Sequence, residues 1–173
     1  MRPLQVLLAE DNVINQKMMV MTLRKLGYDV LVAANGRDCI QLLDRQATLG
    51  ANAEIEVILM DVSMDVMDGI ECTTVIRQQQ MPHRKRPYII AQTANTSDDF
   101  RSRCAEAGMD DFLSKVSRCC FCYSVSALAI SRLLSCWLIL CGFVFDLLRL
   151  QPLQLELLVA SLRRAYSHAV RPR

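Results

Sequence analysis

Five short runs of apolar residues, separated by stretches with helical periodicity, constrain the fold of this chain more than any other feature. Each run is nearly continuous rather than alternating with polar residues, and the runs cover residues 6–8, 30–32, 57–59, 88–90 and 112–113. Strands that are covered on both faces have this composition, because neither face meets water. The alternation of strands and helices therefore predicts an α/β fold, a doubly wound five-stranded parallel sheet between two layers of helices.

The helical stretches carry their own boundary signals. Asn35, Asp68 and Ser97 each stand where a helix should begin, and their side chains are good N-caps. Gly27 and Gly108 stand where the first and fourth helices should end. The apolar residues that we expect on the core-facing sides are Ile14, Met18, Met21 and Leu26 in the first helix, and Cys39, Leu42 and Leu43 in the second.

Polar side chains stand at the ends of four of the apolar runs. Glu10 and Asp11 follow the first run, Asp61 the third, Thr93 the fourth and Lys115 the fifth. The carboxyl ends of parallel strands meet at one edge of the sheet, where α/β folds bind ligands. Three carboxylates gathered there repel one another unless a cation binds, and Mg²⁺ prefers such oxygen ligands. Spacing alone leaves open that the acids and the lysine are merely solvated and that the threonine only fills a strand.

The order of these residues resembles the receiver (response-regulator) domain family of two-component signalling, over residues 4–115. The resemblance is closest to the receivers of hybrid histidine kinases, in which Asn-x-x-Asn-Gln follows the acidic pair. It implies the strand order 2-1-3-4-5. The matching motifs are Ala9-Glu10-Asp11-Asn12, Asn15-Gln16-Lys17, Ala33-Ala34-Asn35-Gly36, Met60-Asp61, Met67-Asp68-Gly69, Thr93-Ala94, Met109-Asp110-Asp111-Phe112-Leu113 and Lys115.

The resemblance also implies roles for the site residues. Asp61 would accept a phosphoryl group from a histidine kinase or a histidine phosphotransfer protein. Lys115 would neutralise charge, and Thr93 and Phe112 would move together as a switch. Such a domain is a signalling switch rather than a general enzyme, and it catalyses only its own phosphorylation and dephosphorylation. The ligands implied for Mg²⁺ are Glu10, Asp11, Asp61 and the main-chain carbonyl of Ser63.

The chain departs from the family pattern after Lys115, where Val116 replaces the usual proline. Residues 116–151 are rich in Cys, Ser and Leu and contain no Lys, Glu, Asn, Thr, Met, His or Pro. Pro152 then opens an amphipathic helix with one apolar stripe. Removing residues 116–151 would restore the family's Lys-Pro step. We therefore expect a receiver domain of residues 1–115 plus 152–168, a hydrophobic insertion at 116–151 and a tail at 169–173. The apolar stripe consists of Leu155, Leu158, Leu162 and Ala165.

One hypothesis for residues 116–151 is a translated, retained intron. A rival to the active receiver is a degenerate α/β interaction module, inactive because the insertion disrupts the Lys115 site. A second departure adds charge near the pocket, because Asp65 stands where the family usually has proline.

Partners and location follow from composition. The net charge is +2 and the basic run at residues 83–86 is short, so we expect no nucleic-acid partner. Residues 125–148 are the one candidate membrane segment, and their apolar centre at 133–145 falls short of the ~20 residues that a span needs. Met1-Arg2-Pro3 leads straight into the first predicted strand, so we expect no signal peptide; five of the eight cysteines crowd into residues 119–141, which favours reduced thiols over a disulfide framework. We therefore expect reduced thiols and a cytoplasmic location.

Overall fold

The computed structural model describes residues 4–49, 54–79, 86–115 and 152–170, with the side chains of the last range described from 156 to 168. Five strands and five helices alternate along these ranges. They are β1 (Gln5–Ala9), α1 (Val13–Lys25), β2 (Asp29–Ala33), α2 (Gly36–Thr48), β3 (Val57–Asp61), α3 (Gly69–Gln78), β4 (Tyr88–Thr93), α4 (Asp98–Glu106), β5 (Asp111–Ser114) and α5 (Pro152–Val170). The expected insertion and the candidate membrane segment lie outside the described residues.

All five strands are parallel and form one sheet in the order β2-β1-β3-β4-β5. Leu7 pairs with Ile58 across β1 and β3, and Leu59 pairs with Ile90 across β3 and β4. The direction of the strand order reverses between β1 and β3, which is where ligands bind in sheets of this class. The predicted fold class and strand order are both confirmed.

The sheet buries apolar side chains on both faces. Along β3, Val57 and Leu59 point to the face covered by α1 and α5, whereas Ile58 and Met60 point to the face covered by α2, α3 and α4. All four side chains are 0% exposed. This double burial explains the continuous apolar runs in the sequence.

The expected inner face of α1 is wrong. Ile14 and Met21 are 62% and 51% exposed, while Leu23 is fully buried and Met19 and Val20 pack beside it. Apolar residues lie on every side of this helix, so sequence periodicity does not identify which side meets the sheet. The expected face of α2 is confirmed, because Cys39 and Leu43 are buried and Leu42 packs against them.

Helix α5 packs on the sheet beside α1. Leu158, Leu162 and Ala165 are 1%, 0% and 0% exposed, which agrees with the predicted stripe; the side chain of Leu155 lies outside the described residues. Arg164 at the helix surface donates to both Ser161 and Asp111, and the second contact ties α5 to the start of β5. Among the described helices, none is both long enough and apolar enough to cross a membrane.

Candidate functional site

Three carboxylates meet where β1 and β3 end. Glu10 and Asp11 directly follow β1, and Asp61 is the last residue of β3. Each offers one oxygen atom, and these atoms lie within 4.8 Å of one another. Glu10 and Asp61 are buried at 2% and 4% exposure, whereas Asp11 is open to solvent. The topology thus brings together the three acids that the sequence analysis singled out.

Lys115 lies over the two buried acids. Its Nζ atom is 2.7 Å from Oε2 of Glu10 and 2.5 Å from Oδ2 of Asp61. Its main-chain N–H donates to the carbonyl of Thr93 at 2.6 Å, which continues the pairing of β4 and β5 by one residue. The replacement of proline by Val116 therefore does not turn Lys115 away from the acids.

Burial and charge act in opposite directions on Asp61. Burial raises the pKa of the Asp61 carboxyl, and the hydrogen bond and charge of Lys115 lower it. The negative charge of Glu10 raises that pKa further, while the N–H of Ser63, which donates to Oδ1 at 3.1 Å, lowers it. The net direction is upward. Burial and the neighbouring Glu10 charge therefore disfavour the ionised form of Asp61, and a bound cation would favour it.

The loop after Asp61 is held close to the strand end by a glycine. A Cβ atom at Gly69 would clash with the carbonyl oxygen of Asp61, so only glycine allows α3 to begin there. Asp68 caps this helix by accepting the N–H of Glu71 at 2.7 Å. The Asp-Gly pair has the helix-start role that its residue types predict.

Val66 at the tip of this loop has φ of +70° and is 71% exposed. The N–H of Met67 donates to the carbonyl of Asp65 at 2.8 Å, which closes a three-residue turn around Val66. A β-branched residue is strained in this region of backbone space. Where the family has proline, Asp65 is exposed and precedes the strained residue.

The two predicted switch residues lie on neighbouring strands. Thr93 ends β4 and is 2% exposed, and its hydroxyl oxygen accepts the N–H of Asn95 at 3.1 Å. Phe112 lies in β5, half-buried, with the guanidinium carbon of Arg101 4.8 Å from its ring centroid. Arg101 was not singled out from the sequence, because an arginine on a polar helix carries no pattern that marks it.

Two amides on α1 were also missed as site residues. Nδ2 of Asn15 donates to Oε1 of Glu10 at 2.8 Å, and Nε2 of Gln16 donates to the main-chain carbonyl of Glu10 at 2.6 Å. Asn12 caps the helix that carries them, accepting the N–H groups of Ile14 and Asn15. The Asn-x-x-Asn-Gln motif was the available signal, but the spacing alone did not reveal which atoms these amides would contact.

The donor set fits a hard divalent cation. Carboxylate oxygens are the ligands that Mg²⁺ selects, and it keeps several waters when few protein ligands are offered. Glu10 and Asp61 provide buried oxygens, and Asp11 provides an oxygen on the solvent side. The arrangement can therefore hold a cation next to a carboxylate that also contacts a lysine.

Comparison with known proteins agrees with this geometry. The family model described as "Response regulator receiver domain" matches residues 6–118. The hybrid signal transduction protein dokA of Dictyostelium discoideum is 44% identical over 113 residues, which are 65% of this chain and 6% of that protein. The chain thus spans less than a tenth of the length of this relative.

Solved structures show the same fold. The receiver domain of the sensor histidine kinase PA1611 from Pseudomonas aeruginosa PAO1, with a magnesium ion coordinated in its active-site cleft, is 35% identical with a TM-score of 0.54; the match covers 71% of this chain and 93% of that one. The receiver domain of Ssk1, in a co-crystal with the Saccharomyces cerevisiae histidine phosphotransfer protein Ypd1, is 26% identical with a TM-score of 0.55, and the match covers 72% of this chain and 85% of that chain. The chain belongs to the response regulator receiver domain family, the signalling switches of two-component phosphorelay systems.

Proposed function

We propose that this chain is a phosphoacceptor in a His-to-Asp phosphorelay, taking a phosphoryl group onto Asp61. The observation that carries the proposal is the ion pair between Lys115 and Asp61 inside a cluster of three carboxylates. A lysine and a cation-binding carboxylate set, placed around one buried aspartate, supply what phosphoryl transfer chiefly needs: alignment and neutralisation of charge.

Glu10, Asp11 and Asp61 are the proposed side-chain ligands of Mg²⁺, with the main-chain carbonyl of Ser63 as a further ligand. When bound, Mg²⁺ would neutralise the negative charge that builds up on the phosphoryl oxygens. Its presence is supported by the converging oxygens and by the magnesium ion in the cleft of the PA1611 receiver.

Lys115 has two parts in this proposal. Before transfer, its ammonium group lowers the pKa of the Asp61 carboxyl against the effect of burial, and so favours the ionised form, which is the nucleophilic one. After transfer, Asp61 no longer carries its own negative charge, and the lysine is free to pair with a phosphoryl oxygen. Its 30% exposure leaves the side chain room to move between these partners.

The covalent step exchanges one bond for another. An oxygen of Asp61 attacks the phosphorus of a phosphorylated histidine, and the bond from phosphorus to the imidazole nitrogen breaks. The electron pair of that bond stays on the nitrogen, which takes a proton from solvent. The product is an acyl phosphate on Asp61. Attack by water later releases inorganic phosphate and restores the carboxylate.

The switch belongs to Thr93 and Phe112. We propose that the hydroxyl of Thr93 leaves the N–H of Asn95 and turns to the phosphoryl group, and that Phe112 moves inward with it. The hydroxyl oxygen now accepts one neutral hydrogen bond, worth about 1 kcal/mol. By donating its own proton to a charged phosphoryl oxygen, the hydroxyl would form a stronger bond that offsets the loss of the first. The face built by α4, β5 and α5, where we propose that the partner binds, would change shape accordingly.

Partner, location and domain boundaries complete the proposal. The proposed donor is a histidine kinase or a histidine phosphotransfer protein, and the co-crystal of Ypd1 with the receiver domain of Ssk1 supports such a partner. The proposed location is cytoplasmic. The receiver consists of residues 1–115 and 152–168, with an insertion at 116–151 and a tail at 169–173. The burial of Leu158 and Leu162 of α5 against the sheet supports this division.

The test is incubation of the full chain with a radiolabelled small phosphodonor, such as acetyl phosphate, with and without Mg²⁺. We expect a label that needs Mg²⁺, survives acid, is removed by hydroxylamine and is lost in Asp61→Asn. Ser97→Ala is the matched control and should label normally, because Ser97 lies at the start of α4 and its side chain makes no capping bond. A wild-type chain that takes no label under any of these conditions would favour the rival, a degenerate interaction module.

A further inference from the structure

Both oxygens of the Glu10 carboxylate are held by side chains of this chain. Nδ2 of Asn15 donates to Oε1 at 2.8 Å, and Nζ of Lys115 lies 2.7 Å from Oε2. Because each oxygen has a different partner, the plane of the carboxylate is fixed by two contacts that pull in different directions. Glu10 therefore presents one particular oxygen, Oε2, to Lys115 and Asp61.

Glu10 depends on these contacts because it is almost entirely buried, with 3% of its side chain exposed. A buried carboxylate without donors loses its hydration and gains nothing in return. Lys115 alone cannot serve it fully, since the same ammonium group also pairs with Asp61. The amide of Asn15 is thus the contact that belongs to Glu10 alone.

The main chain at this point is held separately. Nε2 of Gln16 donates to the carbonyl of Glu10 at 2.6 Å, and Asn12 caps the first turn of α1. Removing the Asn15 side chain would therefore leave the backbone of residues 10–12 supported while freeing the carboxylate to rotate.

We infer that Asn15 is a positioning residue of the acidic pocket: by holding Oε1 of Glu10, it sets how tightly the pocket binds a divalent cation. The inference rests on the proposed function, because it concerns the same cation site. With Oε1 occupied, Oε2 is the oxygen shared between Lys115 and the cation. With Asn15 removed, the carboxylate turns toward Lys115 and offers the cation a less fixed ligand.

The test is a double-mutant cycle on the full chain, using Asn15→Ala, Glu10→Met and the two together. Titration of Mg²⁺ by calorimetry should give a dissociation constant about 10-fold higher in Asn15→Ala than in wild type, the low end of what loss of a contact behind a metal ligand costs. In the Glu10→Met background the same change should alter the constant by less than about twofold, because the group that Asn15 holds is gone. Ile14→Ala, on the exposed side of the same helix turn, is the control and should match wild type.

A second readout needs no metal. In metal-free buffer, Asn15→Ala should lower the urea midpoint of unfolding, and the drop should shrink in the Glu10→Met background. Should Glu10→Met not fold, Glu10→Gln takes its place, and there too the effect of Asn15→Ala should be smaller, because the amide is uncharged.

Two results would overturn the inference. One is a Mg²⁺ affinity of Asn15→Ala equal to that of wild type; the other is an equal loss in both backgrounds, which would mean that Asn15 acts through the helix and not through Glu10. Absence of Mg²⁺ binding in wild type would instead contradict the metal site of the proposed function. In that case the urea midpoints alone test whether Asn15 acts through Glu10. If Asn15→Ala lowered the midpoint equally in the wild-type and Glu10→Met backgrounds, the inference would be overturned.

Discussion

Asp61 is where burial and charge compete most directly. The pKa of its carboxyl is raised by burial against the opposing effect of Lys115. Above the pKa of an aspartate in the unfolded chain, about 3.9, the unfolded state loses its proton while the folded state still keeps it. The folded state then binds more protons, so the free energy of unfolding falls as pH rises until the folded-state pKa is passed.

We therefore predict that Asp61→Asn gains stability relative to wild type as pH rises from about 4 toward neutrality in metal-free buffer. Urea unfolding at a series of pH values measures this difference. Adding Mg²⁺ should reduce it, because cation binding favours the ionised carboxylates of the wild type. A stability difference that stays constant over the whole pH series would contradict the raised pKa.

Val66 is an exposed residue whose backbone conformation, rather than its burial, lowers the stability of the fold. Its φ of +70° strains a β-branched side chain, at a cost of about 1–3 kcal/mol, whereas glycine adopts this conformation freely but loses about 0.5–1 kcal/mol of chain entropy. Val66→Gly should therefore raise the free energy of unfolding by about 1 kcal/mol, and Val66→Ala, which keeps a Cβ atom, by less. Thermal or urea unfolding measures both. If Val66→Gly were less stable than Val66→Ala, strain at this position would be excluded.

At this scale the sequence predicts some site residues better than others. Glu10, Asp61 and Lys115 could be found because the topology of a parallel sheet carries every strand end to the same edge. The contact between Asn15 and Glu10 could not be found in that way, since it depends on the angle at which α1 leaves the loop. The strain at Val66 was equally hidden, because a valine at a loop tip carries no turn signal.

Helix α5 is the element whose packing matters most for the domain proposal. Leu162 is fully buried against the sheet, whereas Leu157 on the same helix is 47% exposed. Leu162→Ala should cost about 3 kcal/mol of unfolding free energy, within the 2–5 kcal/mol typical of buried leucines. Leu157→Ala should cost no more than about 0.5 kcal/mol. Equal, small effects of the two changes would mean that α5 does not pack on the receiver core.

The elements differ in how far sequence patterns predict them. The strands and the stripe of α5 are predicted well, because an apolar run or a one-sided stripe has only one way to be buried. Helix α1 is predicted as a helix but with the wrong face inward, because Met19, Val20 and Leu23 compete with Ile14 and Met21 on an apolar surface that runs all round it. Only contact with Val6, Leu8 and their neighbours on the sheet decides between the two faces.

At the scale of the whole molecule, we expect the composition of residues 116–151 to govern the solubility of the chain. Six large apolar residues are close together in the sequence of this segment: Trp137, Leu138, Ile139, Leu140, Phe143 and Phe145. The two faces of the sheet are already covered by the five described helices. We therefore expect these six residues to form an exposed apolar patch, to promote aggregation or to cover the surface that binds the partner.

Deleting residues 116–151 should therefore raise solubility and speed the labelling of Asp61 by a small phosphodonor. Lengthening a loop costs little by itself, because closure entropy grows only logarithmically, so composition rather than length is the reason for the expected gain. Sedimentation and labelling rates of the two forms measure the effect, and Asp61→Asn in the deleted form should stay unlabelled. A deleted form that is less soluble and no faster would make the segment an integral part of the fold.

Chemical mapping tests most directly whether Asp61 itself receives the phosphoryl group. The full chain is incubated with Mg²⁺ and acetyl phosphate, the acyl phosphate is reduced with borohydride, and the peptides are sequenced by mass spectrometry. We predict one reduced aspartate, at position 61, and none when Mg²⁺ or the phosphodonor is omitted. Reduction at Asp11 or Asp65 instead, or at no aspartate, would contradict this assignment.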